Sequence, residues 1–160
     1  MMKSVKKAVI FTVLTVLWTG VIFSFSLQPA EASASLSGGL LQCLLNWIDW
    51  LTGIQILVSF AHFLIRKLAH FLEFFLLGTL SFEASKHLFS KWYPSFCYGA
   101  MIAVCDELLQ YVTGGGRAMR LTDMLLDMFG VGVGILLVSF CQKFLANRKN
   151  KNADNNKKSA

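Results

Sequence analysis

The sequence predicts an all-α polytopic membrane protein: a four-helix transmembrane bundle with an interfacial helix or helices in the first extracytoplasmic loop. Three observations carry that prediction. Of the 160 residues, 55% are hydrophobic and only 15% charged, and the mean hydropathy is +0.56, a balance far from that of a soluble domain. Four stretches, 8–27, 64–84, 95–112 and 121–145, have about the apolar length needed to cross a hydrocarbon core of roughly 30 Å. The Lys and Arg residues gather in loops that fall on one side if all four stretches cross.

Residues 8–27 carry no charge and form the cleanest span. Lys3, Lys6 and Lys7 precede it, and Ala32-Ser33-Ala34 resembles a signal-peptidase site, but an apolar run of about 20 residues exceeds the usual h-region of about 7–15, which favours a retained anchor. Residues 40–63 are apolar but interrupted by Asn46, Asp49, Thr52, Gly53 and Gln55. With Trp47 and Trp50 they suit the headgroup zone better than a fifth crossing. The remaining three spans all contain acids. Residues 1–145 thus form one transmembrane domain, and 146–160 a polar, basic tail that is expected to be disordered. Cys43, Cys97, Cys105 and Cys141 lack metal-site or disulfide-framework spacing and are expected to act as small apolar core residues.

The net charge of +6 sits largely in the tail and at the N-terminus, which argues for anionic lipid headgroups at the cytoplasmic face and against a nucleic-acid partner. The same residues orient the chain. With Lys86 and Lys91 between spans two and three, they place both termini in the cytoplasm, while the first loop, with no Lys or Arg, faces outward. Only Arg117 and Arg120, in the short loop after span three, run against this trend.

In that topology, at 1.5 Å rise per residue, Glu73 lies about 13 Å and Asp106 and Asp127 about 9 Å below the outer boundary. Helical phase brings them together. Arg66, His70 and Glu73 follow an i, i+4, i+7 stripe extended outward by His62; Asp106 and Gln110 share a face; Asp123, Asp127, Gly130 and Gly134 form another stripe. Gly130 and Gly134 make a GxxxG pair that admits a close helix, either in the same chain or in a second copy. An ionised group at a lipid-facing helix centre costs about 2.5–3.5 kcal/mol, so the acids are expected to face one another inside the bundle. There Arg66, Lys67, Arg117 and Arg120 nearly balance Glu73, Asp106, Glu107, Asp123 and Asp127.

Interhelical clasps alone account for any one of these residues, and snorkelling for Lys67 and His62. As a set, contributed by three helices and a loop, they define a candidate site. His70, Glu73, Asp106, Glu107 and Asp127 include metal-ligand types, but four nearby cations oppose a dication, so no metal and no cofactor is expected. Cys105 beside Asp106 reads as a packed thiol, and Gly114, Gly115 and Gly116 as a tight turn.

The motifs 22-IFSFSLQP-29, 65-IRKLAHFLEFFLLG-78, 106-DELLQ-110, Arg117 and 123-DMLLDMFGVGVG-134 together resemble the VanZ-like family of small bacterial membrane proteins over about Val5 to Phe140. Membership implies a multi-pass helical protein, and the founding member is associated with resistance to the lipoglycopeptide teicoplanin. The resemblance adds Ser26 and Gln28 to a ligand-binding set of Arg66, Lys67, His70, Glu73, Asp106, Glu107, Gln110, Arg117, Arg120, Asp123 and Asp127. The stretch after Gln110 is longer than the family pattern, so Arg117 and Arg120 compete for the motif arginine. Many relatives carry Asn where Asp127 stands, so the resemblance does not imply its charge. The expected function is an outward-opening polar pocket that binds an anionic or lipid-linked envelope molecule and influences glycopeptide susceptibility. The alternative is an intramembrane enzyme acting on a lipid-linked phosphate, with His70, Glu73, Asp106 or Glu107 as acid and base. A transporter finds little support without an evident inverted repeat.

Overall fold

The computed structural model describes residues 2–27, 58–89, 91–113 and 119–158, with Cys43, Asn46, Trp47 and Trp50. The expected signal-peptidase site, most of the expected interfacial segment, and Gln28, Arg117 and the side chain of His62 lie outside the described residues. Four long helices account for nearly all the rest: α1 (Met2–Ser26), α2 (Val58–Phe89), α3 (Tyr93–Val112) and α4 (Leu121–Lys158).

The all-α expectation holds, but the helices are longer than the apolar windows. Helix α2 begins at Val58, and so absorbs the last residues of the expected interfacial segment, because nothing in 58–63 breaks a helix. Pro94 sits in the first turn of α3, where its missing N–H costs no helical bond. Helix α4 runs on through the basic stretch to Lys158, where disorder was expected. No Gly or Pro interrupts residues 135–158, so a helix already nucleated by packing propagates at little cost. Two helical segments, Val5–Ser26 and Leu121–Asn152, are long and apolar enough to cross a membrane by length and composition.

The helices alternate in direction. Ser26 at the end of α1 contacts Asp106 near the end of α3, and Lys67 near the start of α2 contacts Asp123 at the start of α4. At the other end, Phe11 stacks on His87, while Gln142 of α4 meets both Lys86 and Glu83 of α2. Both termini and the α2–α3 connection therefore lie at one end, and the polar residues singled out above at the other.

Each helix buries one stripe. In α1 it is Ala8, Thr15, Thr19, Ile22 and Ser26; in α3 it is Ser95, Gly99, Ile102, Ala103, Asp106, Glu107 and Gln110. Between them lie Phe74, Leu77, Phe82, Val131 and Ile135. Helices α2 and α4 approach closely at their glycines. A Cβ on Gly130 would lie 2.8 Å from the Phe71 carbonyl oxygen, and one on Gly78 or Gly134 would overlap the backbone of Val131 or Phe75. The GxxxG pair thus packs against α2 of the same chain.

The outward faces are apolar all round. Val9, Val16, Leu68, Leu72, Leu108, Leu125, Phe129 and Phe140 are all exposed. Cys97 and Cys141 join them on the exterior instead of packing in the core, since a small thiol suits either apolar setting; all four cysteines are free.

Replacing Gly134 by Leu forces α2 and α4 apart and is expected to cost at least about 1–3 kcal/mol, the range for overpacking. Gly132, whose added Cβ meets only a ring atom of Phe96 at 3.8 Å, should accept Ala without loss. Thermal unfolding in detergent separates the two outcomes.

Candidate functional site

The acids occupy the same stripes as the apolar core. In α3 the sequence of buried positions runs from Ile102 and Ala103 directly to Asp106, Glu107 and Gln110, and in α4 it runs back from Val131 to Asp127 and Asp123. The phase that packs the core therefore also turns the carboxylates inward. Asp106 and Asp127 are both 0% exposed, although they lie near one end of the bundle.

Two tiers can be distinguished. In the outer tier, towards the helix ends, Lys67 forms an ion pair with Asp123 and packs its ammonium 5.5 Å from the Phe63 ring centroid. Arg66 is exposed and donates to the Gln110 side-chain oxygen at 3.4 Å. The Glu107 carboxylate accepts the backbone N–H of Arg120 at 3.0 Å. Arg120 immediately precedes α4, so an acid on α3 satisfies an orphan donor at the α4 N-terminus. Asp123, in the first turn of α4, adds negative charge at the positive end of the helix dipole. The Arg120 side chain is exposed.

The inner tier contains His70, Glu73, Asp106 and Asp127. Asp106 is held from two sides: Ser26 donates its hydroxyl to Oδ1, and the Gln110 amide donates to Oδ2 at 2.9 Å. Asp127 is arranged differently. Neither of its carboxylate oxygens accepts a hydrogen bond among the described residues, and His70 Nδ1 stands 3.9 Å from Oδ1. Ligand-type atoms of His70, Asp106 and Asp127, one from each of three helices, all lie within 4.8 Å of one another. Among the described residues, neither Glu73 nor Asp127 has a Lys or Arg within ion-pairing distance.

The structure thus brings together Ser26, Arg66, Lys67, His70, Glu73, Asp106, Glu107, Gln110, Asp123 and Asp127, with Arg120 at the rim. It distributes them unequally, however. The expected pool of four cations against five acids is layered: Lys67 is taken up by Asp123, and Arg66 and Arg120 reach the surface. Trp18, which the motifs do not include, donates its indole N–H to the Glu73 carbonyl at 2.9 Å and ties α1 to α2 beside the site. A lone Trp within an apolar span was its only sequence signal.

Comparison with known proteins fits this arrangement. A family model described as VanZ/LLP1 matches residues 11–142, which takes in parts of all four helices and every site residue. The chain belongs to the VanZ/LLP1 family. No curated protein and no solved structure matches it. Of the VanZ-like motif positions, Ser26, Arg66, Lys67, His70, Asp106, Glu107, Gln110, Asp123 and Asp127 meet towards one end of the bundle, while Gly78, Gly130 and Gly134 form the contact between α2 and α4.

Ser26 and Asp106 are separated by 80 positions but joined by a buried hydrogen bond. A double-mutant cycle with Ser26→Ala and Asp106→Asn should return a coupling energy of about 0.5–3 kcal/mol. Ser26→Ala combined with Glu83→Gln, at the opposite end, should be additive within about 0.3–0.5 kcal/mol. Equilibrium unfolding in detergent supplies both values.

Proposed function

We propose that this VanZ-like protein is a multi-pass cell-membrane protein with a polar site in the outer half of the bilayer that binds an anionic or lipid-linked envelope molecule. The observation that carries the reading is the pair Arg66 and Arg120. Both are exposed at the mouth of a buried polar cluster on a bundle whose sides are otherwise apolar. Planar guanidinium groups suit bidentate contact with phosphate or carboxylate. Gln110 and Glu107 hold the Arg66 side chain and the Arg120 backbone, respectively, which reduces the ordering a ligand must supply.

Apolar exteriors on all four helices support a bilayer around the bundle, since hydrocarbon replaces water as the surrounding solvent. Lys3, Lys6, Lys7, Lys86, Lys91 and the basic end of α4 support cytoplasmic termini, which turns the site outward. Anionic lipid headgroups then neutralise the cytoplasmic end. Teicoplanin acts outside the membrane and carries a lipid tail, so an outward site for a lipid-linked precursor is a coherent route to altered glycopeptide susceptibility; that link is family analogy. The reading as an enzyme on a lipid-linked phosphate draws on the same residues. Of its acid–base candidates, Glu107 also accepts the Arg120 backbone N–H.

Lipids copurifying with the protein, identified by mass spectrometry, test the reading. Arg66→Gln and Arg120→Gln together should lower recovery of the anionic species by at least about 10–100-fold, the equivalent of one charge-assisted hydrogen bond. Unchanged recovery rejects the binding site, and conversion of the lipid favours the enzyme. Glu73→Gln and Asp106→Asn should also abolish any teicoplanin-resistance phenotype at unchanged protein level.

A further inference from the structure

The inner tier lies below the arginines and is not needed for the contact they make. We propose that His70, Asp106 and Asp127 bind a divalent transition-metal cation between helices α2, α3 and α4. The inference does not rest on the lipid-binding reading.

Three observations lead to it. The donor atoms converge: one imidazole nitrogen and two carboxylate oxygens lie within 4.8 Å of one another. Metal–ligand bonds of about 2.0–2.2 Å put neighbouring donors about 3.0–3.5 Å apart, a contraction within reach of side-chain rotation. The second observation is Asp127. It is completely buried, and both its oxygens lack a hydrogen-bond donor among the described residues. Such a carboxylate is expensive unless something compensates it. Charge supplies the third. Asp106 and Asp127 set two buried carboxyl groups beside the His70 imidazole, and a dication would offset charge on both.

The sequence argument against a metal was the presence of nearby cations. Of those four cations, Lys67 is paired with Asp123, Arg66 and Arg120 are exposed, and Arg117 lies outside the described residues. The surrounding contacts also suit a metal centre. Ser26 and Gln110 orient Asp106 as outer-shell partners commonly orient a ligating carboxylate. A set of one nitrogen and two oxygens fits Zn2+, Mn2+ or Co2+ better than Mg2+ or Ca2+, which prefer oxygen alone.

Co2+ is a suitable probe. Full-length protein, purified in detergent without a histidine tag and stripped with EDTA, is titrated with Co2+ while the d–d absorption is recorded. The expected result is one Co2+ per chain, displaced by Zn2+, with the melting temperature raised by either ion. Asp127→Asn and His70→Gln should weaken binding by more than about 100-fold, beyond the 10–100-fold typical of outer-shell changes, and should melt at a temperature insensitive to metal. Glu83→Gln and His87→Gln alter the other His–carboxylate pair, at the far end of the bundle, and should bind as the unaltered chain does. Absence of saturable Co2+ binding overturns the proposal and assigns the inner tier to protonated carboxyl groups. So does binding that survives both inner substitutions or is lost with His87→Gln. Should Asp127→Asn not fold, His70→Gln makes the same comparison.

Discussion

Everything in this bundle is arranged around carboxyl groups buried where neither water nor lipid can solvate them. Asp106 and Asp127 are fully enclosed by helices whose outer surfaces are apolar. A carboxylate in that position has to be compensated by its neighbours, and the neighbours are drawn from three helices: Ser26 from α1, His70 from α2, Gln110 from α3. Because each contributor also belongs to its helix's packed stripe, the polar site and the core cannot be positioned independently.

That coupling explains why α2 and α4 must come so close. With Gly78, Gly130 and Gly134 at the contact, backbone touches backbone, and side chains one or two turns further along, Lys67 with Asp123 and His70 with Asp127, fall within reach of each other. Small residues are the usual means of helix association in lipid, where burial of apolar surface gives little drive. Here they also set the width of the site. The clasps Trp18 to the Glu73 carbonyl and Ser81 with Ser95 tie α1 and α3 to α2, and Thr19 with Tyr98 ties α1 to α3.

Division into tiers gives the charges different work. Near the helix ends, Asp123 and Glu107 stabilise the start of α4, Lys67 pairs with Asp123, and Arg66 and Arg120 are exposed. Deeper, where the dielectric is low and each uncompensated charge is costly, the acids have hydrogen-bonding partners or a neighbouring imidazole. Membership of the VanZ/LLP1 family is consistent with both tiers, since the matched segment spans them.

Much of this was legible in the sequence. Composition and run length identified the apolar helices, and the i, i+4, i+7 spacing of Arg66, His70 and Glu73 and of Asp123, Asp127 and Gly130 placed the acids on inward faces, because helical phase is a local property. Local information ends there. Which cation meets which acid depends on the relative depth of two helices, so a pool of balanced charges could be counted but not sorted; only packing assigned Lys67 to Asp123 and the Glu107 carboxylate to the Arg120 backbone. A GxxxG pair likewise reads the same whether its partner is α2 or another chain. Helix α4 also runs through the basic stretch to Lys158, where composition argued for disorder, since extending an existing helix is a smaller step than nucleating one. The sequence by itself determined the helices and their inward faces. The depth at which those faces meet, and hence the separation of a metal-competent inner cluster from the arginines above it, was decided by the close approach of α2 and α4.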